Sequence, residues 1–221
     1  MQSLLIFSGA ALLWGALFWS GGRGAMASLM VSFILASIIL PGIALRLWGF
    51  VLATVPVGAG LSLLVWTPLS SSFGLMGFFV RSTGEGVTSG RIDMWKDIFT
   101  LFLDKPIFGY GNAQYHLHTQ IEAFKSFPQV HNFILDALLS FGLVGGLCLL
   151  YLAFKAWLKV VIKTKIEGIS YRFPAFLGLN TLLAHSMLTG TYYYIHGQIY
   201  IAILFGLLLA DIRKPDRFTN A

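Results

Sequence analysis

Residues 133–156 have the sequence FILDALLSFGLVGGLCLLYLAFKA, and this stretch decides the fold class of the chain. Its only charged residues are Asp136 near the beginning and Lys155 near the end. A helix rises about 1.5 Å per residue, so roughly 20 apolar residues cross the hydrocarbon core of a bilayer. The stretch therefore predicts a transmembrane helix. Its small residues Gly142, Gly145 and Gly146 would let a neighbouring helix approach closely.

Similar apolar stretches recur along the chain. The candidate spans are residues 3–19, 25–45, 48–67, 133–156, 173–190 and 195–211. The third contains Pro56, Gly58 and Gly60 and is predicted to bend. The prediction is an all-α integral membrane protein with about six transmembrane helices. The predicted division is three transmembrane helices in 1–67, an outer loop in 68–132, three further helices in 133–212 and a tail in 213–221.

The composition of the whole chain supports the membrane class. Hydrophobic residues make up 57% of the 221 residues and charged residues 11%, and the mean hydropathy is +0.77. A soluble domain of this length would have too few charges to cover its surface. The single cysteine, Cys148, lies inside an apolar stretch, which excludes a disulfide framework and a cysteine-based metal site.

Lysine and arginine residues are distributed unevenly between the loops. One face has nine basic and three acidic residues, whereas the other has six of each, so the formal charge of +6 lies on one side. The basic residues of the first face are Arg46, Lys155, Lys159, Lys163, Lys165, Arg172, Arg213, Lys214 and Arg217. By the positive-inside rule this face is cytoplasmic, with both termini, and the long loop lies outside. The basic pI is therefore a signal of topology and gives no support to nucleic-acid binding.

The outer loop contains a segment with helical periodicity. Residues 81–90 are rich in Ser, Thr and Gly and predict a linker. In the sequence RIDMWKDIFTLFLDKP (91–106), large apolar residues then recur at helical spacing. They are Ile92, Trp95, Phe99 and Phe102. They predict an amphipathic helix on the outer membrane surface, which stops before Pro106. The alternative is that this helix merely rests on lipid headgroups.

Five short motifs follow one another along the chain. They are GRGA (22–25), SGR followed by a tryptophan (89–95), PIFGYG (106–111), HN (131–132) and GLVG (142–145). In this order they resemble the motifs of the O-antigen ligase and polymerase family of bacterial envelope enzymes. Gly22 stands where that family usually has a serine. The resemblance covers most of residues 12–150.

The resemblance implies a reaction and a set of site residues. Family members transfer a glycan from undecaprenyl diphosphate to a hydroxyl of a glycan or lipid A-core acceptor, at the periplasmic face of the bacterial inner membrane. The residues implied to be catalytic are His131, Arg91 and Arg23. The residues implied to bind substrate are Arg23, Arg91, Trp95, Gly109, Gly111 and Asn132. Besides these substrates the implied partners are membrane lipids, and no cofactor or metal is implied. The loop 68–132 would be periplasmic and the tail 213–221 cytoplasmic.

These residue types suit such a reaction. The leaving group is a lipid diphosphate, and arginine holds phosphate well because its guanidinium is always charged and donates hydrogen bonds in pairs. An imidazole such as that of His131 can accept the proton of a hydroxyl near neutral pH. Arginines can take the place of a metal cation, and the sequence has no acidic DxD-like pair that would bind one.

Each of these residues also has a purely structural interpretation. Arg23 could anchor a helix end among lipid headgroups, and Arg91 could pair with Asp93. His131 could simply stand at the start of a helix whose N-cap is Asn132.

A further histidine, His185, lies inside a candidate span, where an ionisable residue is a functional candidate by default. We expect it to form a hydrogen bond to another helix rather than to Asn180 on its own helix.

Two other interpretations of the chain remain open. One is a small-solute transporter of bicarbonate type, although the sequence shows no convincing inverted repeat. Family members also have about twice as many spans, and this chain resembles their C-terminal half. We therefore expect a missing N-terminal half or a partner subunit, and a non-catalytic remnant is the second alternative.

Overall fold

The computed structural model of the chain describes residues 2–64, 90–126, 130–168 and 172–210. Within these ranges it contains helices and no strand, which confirms the all-α prediction for this part of the chain. The helices are α1 (Gln2–Ser20), α2 (Arg23–Ile39), α3 (Pro41–Leu63), α4 (Arg91–Asp104), α5 (Tyr115–His118), α6 (Phe133–Glu167), α7 (Phe173–Ser186) and α8 (Ile195–Leu209), with a 3-10 turn at Glu122–Phe124. The predicted linker up to Ser89 and the predicted tail 213–221 lie outside the described residues.

Three of these helices are long and apolar enough to cross a membrane. They are α1 from Ser3, α3 and α6, while α2 and α8 are shorter apolar helices. The chain is therefore a helical membrane protein, and six spans stay a prediction. The boundary between the second and third helices lies earlier than predicted, because α2 ends at Ile39 and Pro41 opens α3. Proline lacks the N–H that continues a helix but fits the first turn of a new one.

The helices pack through small residues and side-chain hydrogen bonds. Helix α3 lies against α1 at Gly58, where a Cβ atom would come within 2.7 Å of the Ala11 oxygen. Helix α2 packs on α7, and the Ser32 hydroxyl donates to the Leu177 carbonyl at 2.8 Å. Buried Phe176 and other apolar side chains of α2, α6, α7 and α8 form the core. These contacts hold the beginning of α2 and the end of α7 at the same end of the bundle.

Helix α6 is broken at Gly142, whose φ of +64° and ψ of −165° are not helical. The break divides it into a short segment, 133–141, and a long one, 143–167. A Cβ atom on Gly146 would lie 2.8 Å from the Ala137 oxygen, so the short segment folds back against the start of the long one. The glycines predicted to allow close approach therefore bring two parts of the same helix together.

The PIFGYG turn (106–111) fills this break. The amides of Leu143 and Val144 donate to the carbonyls of Pro106 and Ile107 at 2.7 and 3.2 Å. In the opposite direction, Tyr110 N donates to Leu139 O and Gly111 N to Ser140 O, both at 2.9 Å. The turn thus satisfies the orphan carbonyls of segment 133–141 and the orphan amides of segment 143–167, the groups that every helix end leaves unpaired.

Helix α4 packs on the protein mainly through residues other than those predicted to lie on the membrane surface. Met94, Ile98 and Leu101 are buried against residues such as Tyr115 and Leu139. Two residues of the predicted apolar face, Ile92 and Phe99, are 45% and 57% exposed. This helix thus has two apolar stripes, and the contact of the predicted stripe with the membrane surface stays a prediction.

Candidate functional site

Two arginines begin two different helices at the same end of the bundle. Arg23 is the first residue of α2, and Arg91 is the first residue of α4. Burial lowers the pKa of Arg91, and the positive charge of Arg23 lowers it further. The fold therefore brings together two guanidinium groups that are 68 positions apart in the sequence. Like charges in a half-buried place repel each other unless an anion lies between them.

His131 lies at the start of α6, within electrostatic range of Arg91. Its backbone has a φ of +54°, in the left-handed region that few non-glycine residues occupy. Burial lowers the pKa of its imidazole from the ordinary value of 6.5, and the charge of Arg91 lowers it further. The imidazole is consequently neutral at pH 7. The charge of Arg23 thus acts on Arg91, and the charge of Arg91 acts on His131.

Asn132 fixes the start of α6. Its side-chain oxygen accepts hydrogen bonds from Ile134 N at 3.0 Å and Leu135 N at 3.1 Å, which confirms the predicted N-cap. Its amide nitrogen donates to the carbonyl of Met187 at 3.3 Å, just after α7. Both polar groups of this amide are engaged within the protein. Asn132 therefore ties the residue next to it, His131, to the end of α7.

The other predicted substrate-binding residues fall into two groups. Trp95 lies one turn after Arg91 on α4, and its buried indole nitrogen has no hydrogen-bond partner within the described part of the chain. Gly109 and Gly111 belong to the turn that fills the α6 break, with φ of +71° and +98°. In the structure these two glycines allow the backbone of the turn to adopt its conformation. Asp93, the alternative partner of Arg91, instead lies 3.9 Å from Lys96 in an exposed ion pair.

His185 also belongs to this end of the bundle. It lies in the last turn of α7, and the charge of Arg91 acts on its imidazole. A Cβ atom on Gly24 would lie 3.6 Å from the His185 Nε2 atom, so the ring faces the first turn of α2. Its Nδ1 atom lies 2.6 Å from the Thr191 hydroxyl, in the connection to α8. As expected, no bond to Asn180 is found among the described contacts of His185, but the expected bond to another helix is replaced by bonds to the connection after α7.

A second part of the site lies one turn further along α6, and its side chains are uncharged or acidic. Asp136, Asn112 and Gln198 line a polar cavity of about 330 Å³ together with Tyr192 and Tyr193. Burial raises the pKa of Tyr192, and the neighbouring Asp136 carboxylate raises it further. Asp136 was not among the predicted site residues, and a lone acid in an otherwise apolar span was the signal that could have identified it.

An adjoining apolar cavity of about 610 Å³ lies between α2, α6, α7 and α8. Phe133 and Tyr192 line it near the polar end, and Leu150 and Phe154 line it further along α6. Within the ranges that the structure describes, no three His, Cys, Asp or Glu side chains converge to hold a metal ion.

Apolar helices of membrane-crossing length and a cluster of arginine and histidine at one end define a helical membrane protein with a cationic site. The family model described as O-antigen ligase matches residues 8–150, and the chain belongs to that family. The predicted resemblance is confirmed. The family carries out glycan transfer of the ligase and polymerase type. No curated protein and no solved structure matches the chain.

Proposed function

We propose that the chain transfers a glycan from an undecaprenyl diphosphate carrier to an acceptor hydroxyl at the outer face of the bacterial inner membrane. The observation that carries the proposal is the meeting of Arg23 and Arg91 beside a neutral His131. A diphosphate between the two guanidinium groups would offset their repulsion and accept their paired hydrogen bonds. The beginnings of α2 and α4 add the positive ends of two helix dipoles.

In this reaction the acceptor oxygen forms a bond to the anomeric carbon of the donor sugar. The bond from that carbon to the diphosphate oxygen breaks, and its electron pair stays on the diphosphate. The arginines stabilise the charge that develops there, a contribution of a few kcal/mol per group in other enzymes. The acceptor proton passes to the lone pair of His131, whose lowered pKa keeps it available at neutral pH.

The neighbouring cavities suit the remaining parts of the substrates. The apolar cavity of about 610 Å³ would take part of the polyprenyl chain, since it lies between apolar helices. The polar cavity would take a sugar of the acceptor, because the carboxylate of Asp136 and the amides of Asn112 and Gln198 complement sugar hydroxyls. The indole N–H of Trp95 would donate to a phosphate or sugar oxygen.

The proposed orientation follows from the two ends of the bundle. Lys163 donates to the carbonyls of Leu209 and Ala210, and Arg172 pairs with Glu167 at 3.2 Å. Lys163 lies near the end of α6 and Arg172 at the start of α7, opposite the start of α6 where His131 lies. With the basic end in the cytoplasm, the site faces the periplasm.

Separate replacement of Arg23, Arg91 and His131 by alanine tests the proposal. Each variant is expected to insert into the membrane and to lose transfer of glycan from the lipid-linked donor. Arg46→Ala, at the other end of the bundle, serves as the control and should retain transfer. Normal transfer in all three site variants would reject the proposal.

A further inference from the structure

We propose that His185 presents an unprotonated Nε2 atom to the cationic site, where it accepts a hydrogen bond from a hydroxyl group of the sugar substrate. His185 lies outside residues 8–150, which the family model matches. The nature of the ligand rests on the proposed function. The protonation of the ring rests on hydrogen bonds within the protein alone, so the two can be tested separately.

Three helices define the surroundings of the His185 ring. His185 is in the last turn of α7, and its Nε2 edge faces Gly24 in the first turn of α2, next to Arg23. The charge of Arg91 on α4 acts on the same imidazole. A side chain at position 24 would occupy the space next to Nε2, and glycine leaves that space open. The Nε2 edge is therefore directed to the end of the bundle where the two arginines meet.

The opposite edge of the ring is held by two threonine hydroxyls. The Thr189 hydroxyl lies 2.9 Å from the carbonyl of its own helix end, His185 O, to which it donates. It also lies 2.8 Å from the Thr191 hydroxyl. A hydroxyl has one proton, so Thr189 accepts in this second contact and Thr191 donates. The proton of Thr191 is then used in the bond to Thr189.

This assignment decides the tautomer of the imidazole. The Thr191 oxygen lies 2.6 Å from His185 Nδ1 and has no proton left to donate to it. With the Thr189 proton directed to the His185 carbonyl, Thr191 accepts and Nδ1 carries the proton. The second threonine oxygen, on Thr189, lies 3.2 Å from the same Nδ1 and reinforces this arrangement. A neutral imidazole has one N–H, so Nε2 keeps a free lone pair.

A hydrogen-bond acceptor at this place complements the donors of the arginine cluster. The guanidinium groups of Arg23 and Arg91 and the indole of Trp95 are donors only. They can bind phosphate and ring oxygens, but they cannot accept the proton of a sugar hydroxyl. The lone pair of His131 is assigned to the attacking hydroxyl in the proposed reaction. His185 Nε2 is thus an acceptor for a second hydroxyl, and its role is to position the sugar.

Nitrogen-15 NMR of histidine in the detergent-solubilised protein tests the tautomer without any activity. The His185 signals are identified by their loss in His185→Gln. At pH 7.5 we expect a protonated Nδ1 and an unprotonated Nε2, and Thr191→Ser should preserve this pattern because it keeps the hydroxyl. Thr191→Val should increase the Nε2–H form. A protonated Nε2 in the unmodified protein would overturn the inference.

Two substitutions of His185 with side chains of different length test its role in binding the sugar. Glutamine places an amide near the position of Nε2, whereas asparagine places it near Nδ1. We expect His185→Asn to lower glycan transfer about tenfold or more, consistent with loss of one hydrogen bond to a substrate, and His185→Gln to retain most of it. Both variants should bind farnesyl diphosphate as tightly as the unmodified protein.

Equal transfer by the unmodified protein and His185→Asn would overturn this role and leave the proposed function standing. Failure of the unmodified protein to bind farnesyl diphosphate would instead contradict the proposed function. The NMR measurement would still decide the tautomer in that case.

Discussion

The backbones of Gly109 and Gly142 lie in direct contact, so that a Cβ atom on Gly109 would come within 2.7 Å of the Gly142 nitrogen. A Cβ atom on Gly142 would in turn overlap the carbonyl of Ile107. Both glycines have positive φ values, which side chains disfavour. Two motifs that are more than 30 positions apart in the sequence are thus parts of one structure, in which a turn between α4 and α5 completes a broken apolar helix.

Gly142→Ala is expected to destabilise the protein. The new methyl group has no space and the backbone conformation is strained, and each effect costs on the order of 1–3 kcal/mol. The measurement is the temperature at which the detergent-solubilised protein aggregates. Gly49→Ala in α3 is the matched control, because a Cβ atom there meets nothing within 4 Å. Equal aggregation temperatures for the two variants would contradict the contact.

Asp97→Ala is expected to loosen the outer loop. The Asp97 carboxylate accepts hydrogen bonds from the Thr119 hydroxyl at 2.6 Å and the Tyr115 hydroxyl at 3.0 Å. Hydrogen bonds to charged groups contribute about 1.5–3 kcal/mol each. Limited proteolysis should therefore cleave the loop faster in this variant. Asp93→Ala is the control, because the side chain of Asp93 is 72% exposed and its ion pair contributes little. Similar cleavage rates in both variants would disprove the anchoring role.

Glycan transfer is expected to depend on pH through His131. The imidazole must be neutral to accept a proton, and burial and Arg91 lower its pKa below 6.5. The pH at which the transfer rate falls to half should therefore lie below 6.5. Stability should change in the same direction, because below pH 6.5 the unfolded chain binds a proton that the folded chain disfavours. A rate that already halves above pH 6.5 would argue against His131 as the base.

Arg91→Gln is expected to raise the pKa of His131 by removing the neighbouring positive charge. Burial would continue to lower this pKa, so it should approach the ordinary value only in part. Titration of the His131 ring signals by NMR measures the change directly. Arg46→Gln, at the opposite end of the bundle, should leave these signals unchanged. An unaltered His131 titration in Arg91→Gln would show that the two groups are not neighbours.

Replacement of Asp136 in the polar cavity is expected to weaken binding of the acceptor substrate. Asp136→Asn keeps the size of the side chain and removes its charge, so the sugar hydroxyls lose their strongest acceptor. We expect the KM for the acceptor to rise several-fold, with little change in the KM for the lipid-linked donor. Kinetics with each substrate varied in turn measures both values. A rise confined to the donor would place the donor, and not the acceptor, in this cavity.

The sequence was sufficient to predict the helices and the residues near the arginine cluster. Apolar stretches of suitable length indicated the helices, and the GRGA and HN motifs directed attention to Arg23 and His131. The sequence was not sufficient to predict the break of α6 at Gly142. The residues that stabilise this break belong to a turn more than 30 positions away. The packed face of α4 depended on the same long-range contacts.

The role of His185 could be foreseen only in part. An ionisable residue in an apolar span indicated a functional candidate. The expected bond to another helix was wrong, because Nδ1 contacts two threonines of the connection after α7. Its partner, Thr191, lies in the connection that follows α7, where no periodic pattern guides prediction. The proton arrangement required distances to both Thr189 and Thr191, which the sequence does not contain.

The most direct test of the central claim is a double-mutant cycle on farnesyl diphosphate binding with Arg23→Gln, Arg91→Gln and the double variant. If both arginines hold one diphosphate, each single variant should lose roughly tenfold or more in affinity, and the double variant should bind only slightly less than either single one. Farnesol should bind all four proteins alike. Single variants that bind farnesyl diphosphate as tightly as the unmodified protein would contradict a shared site.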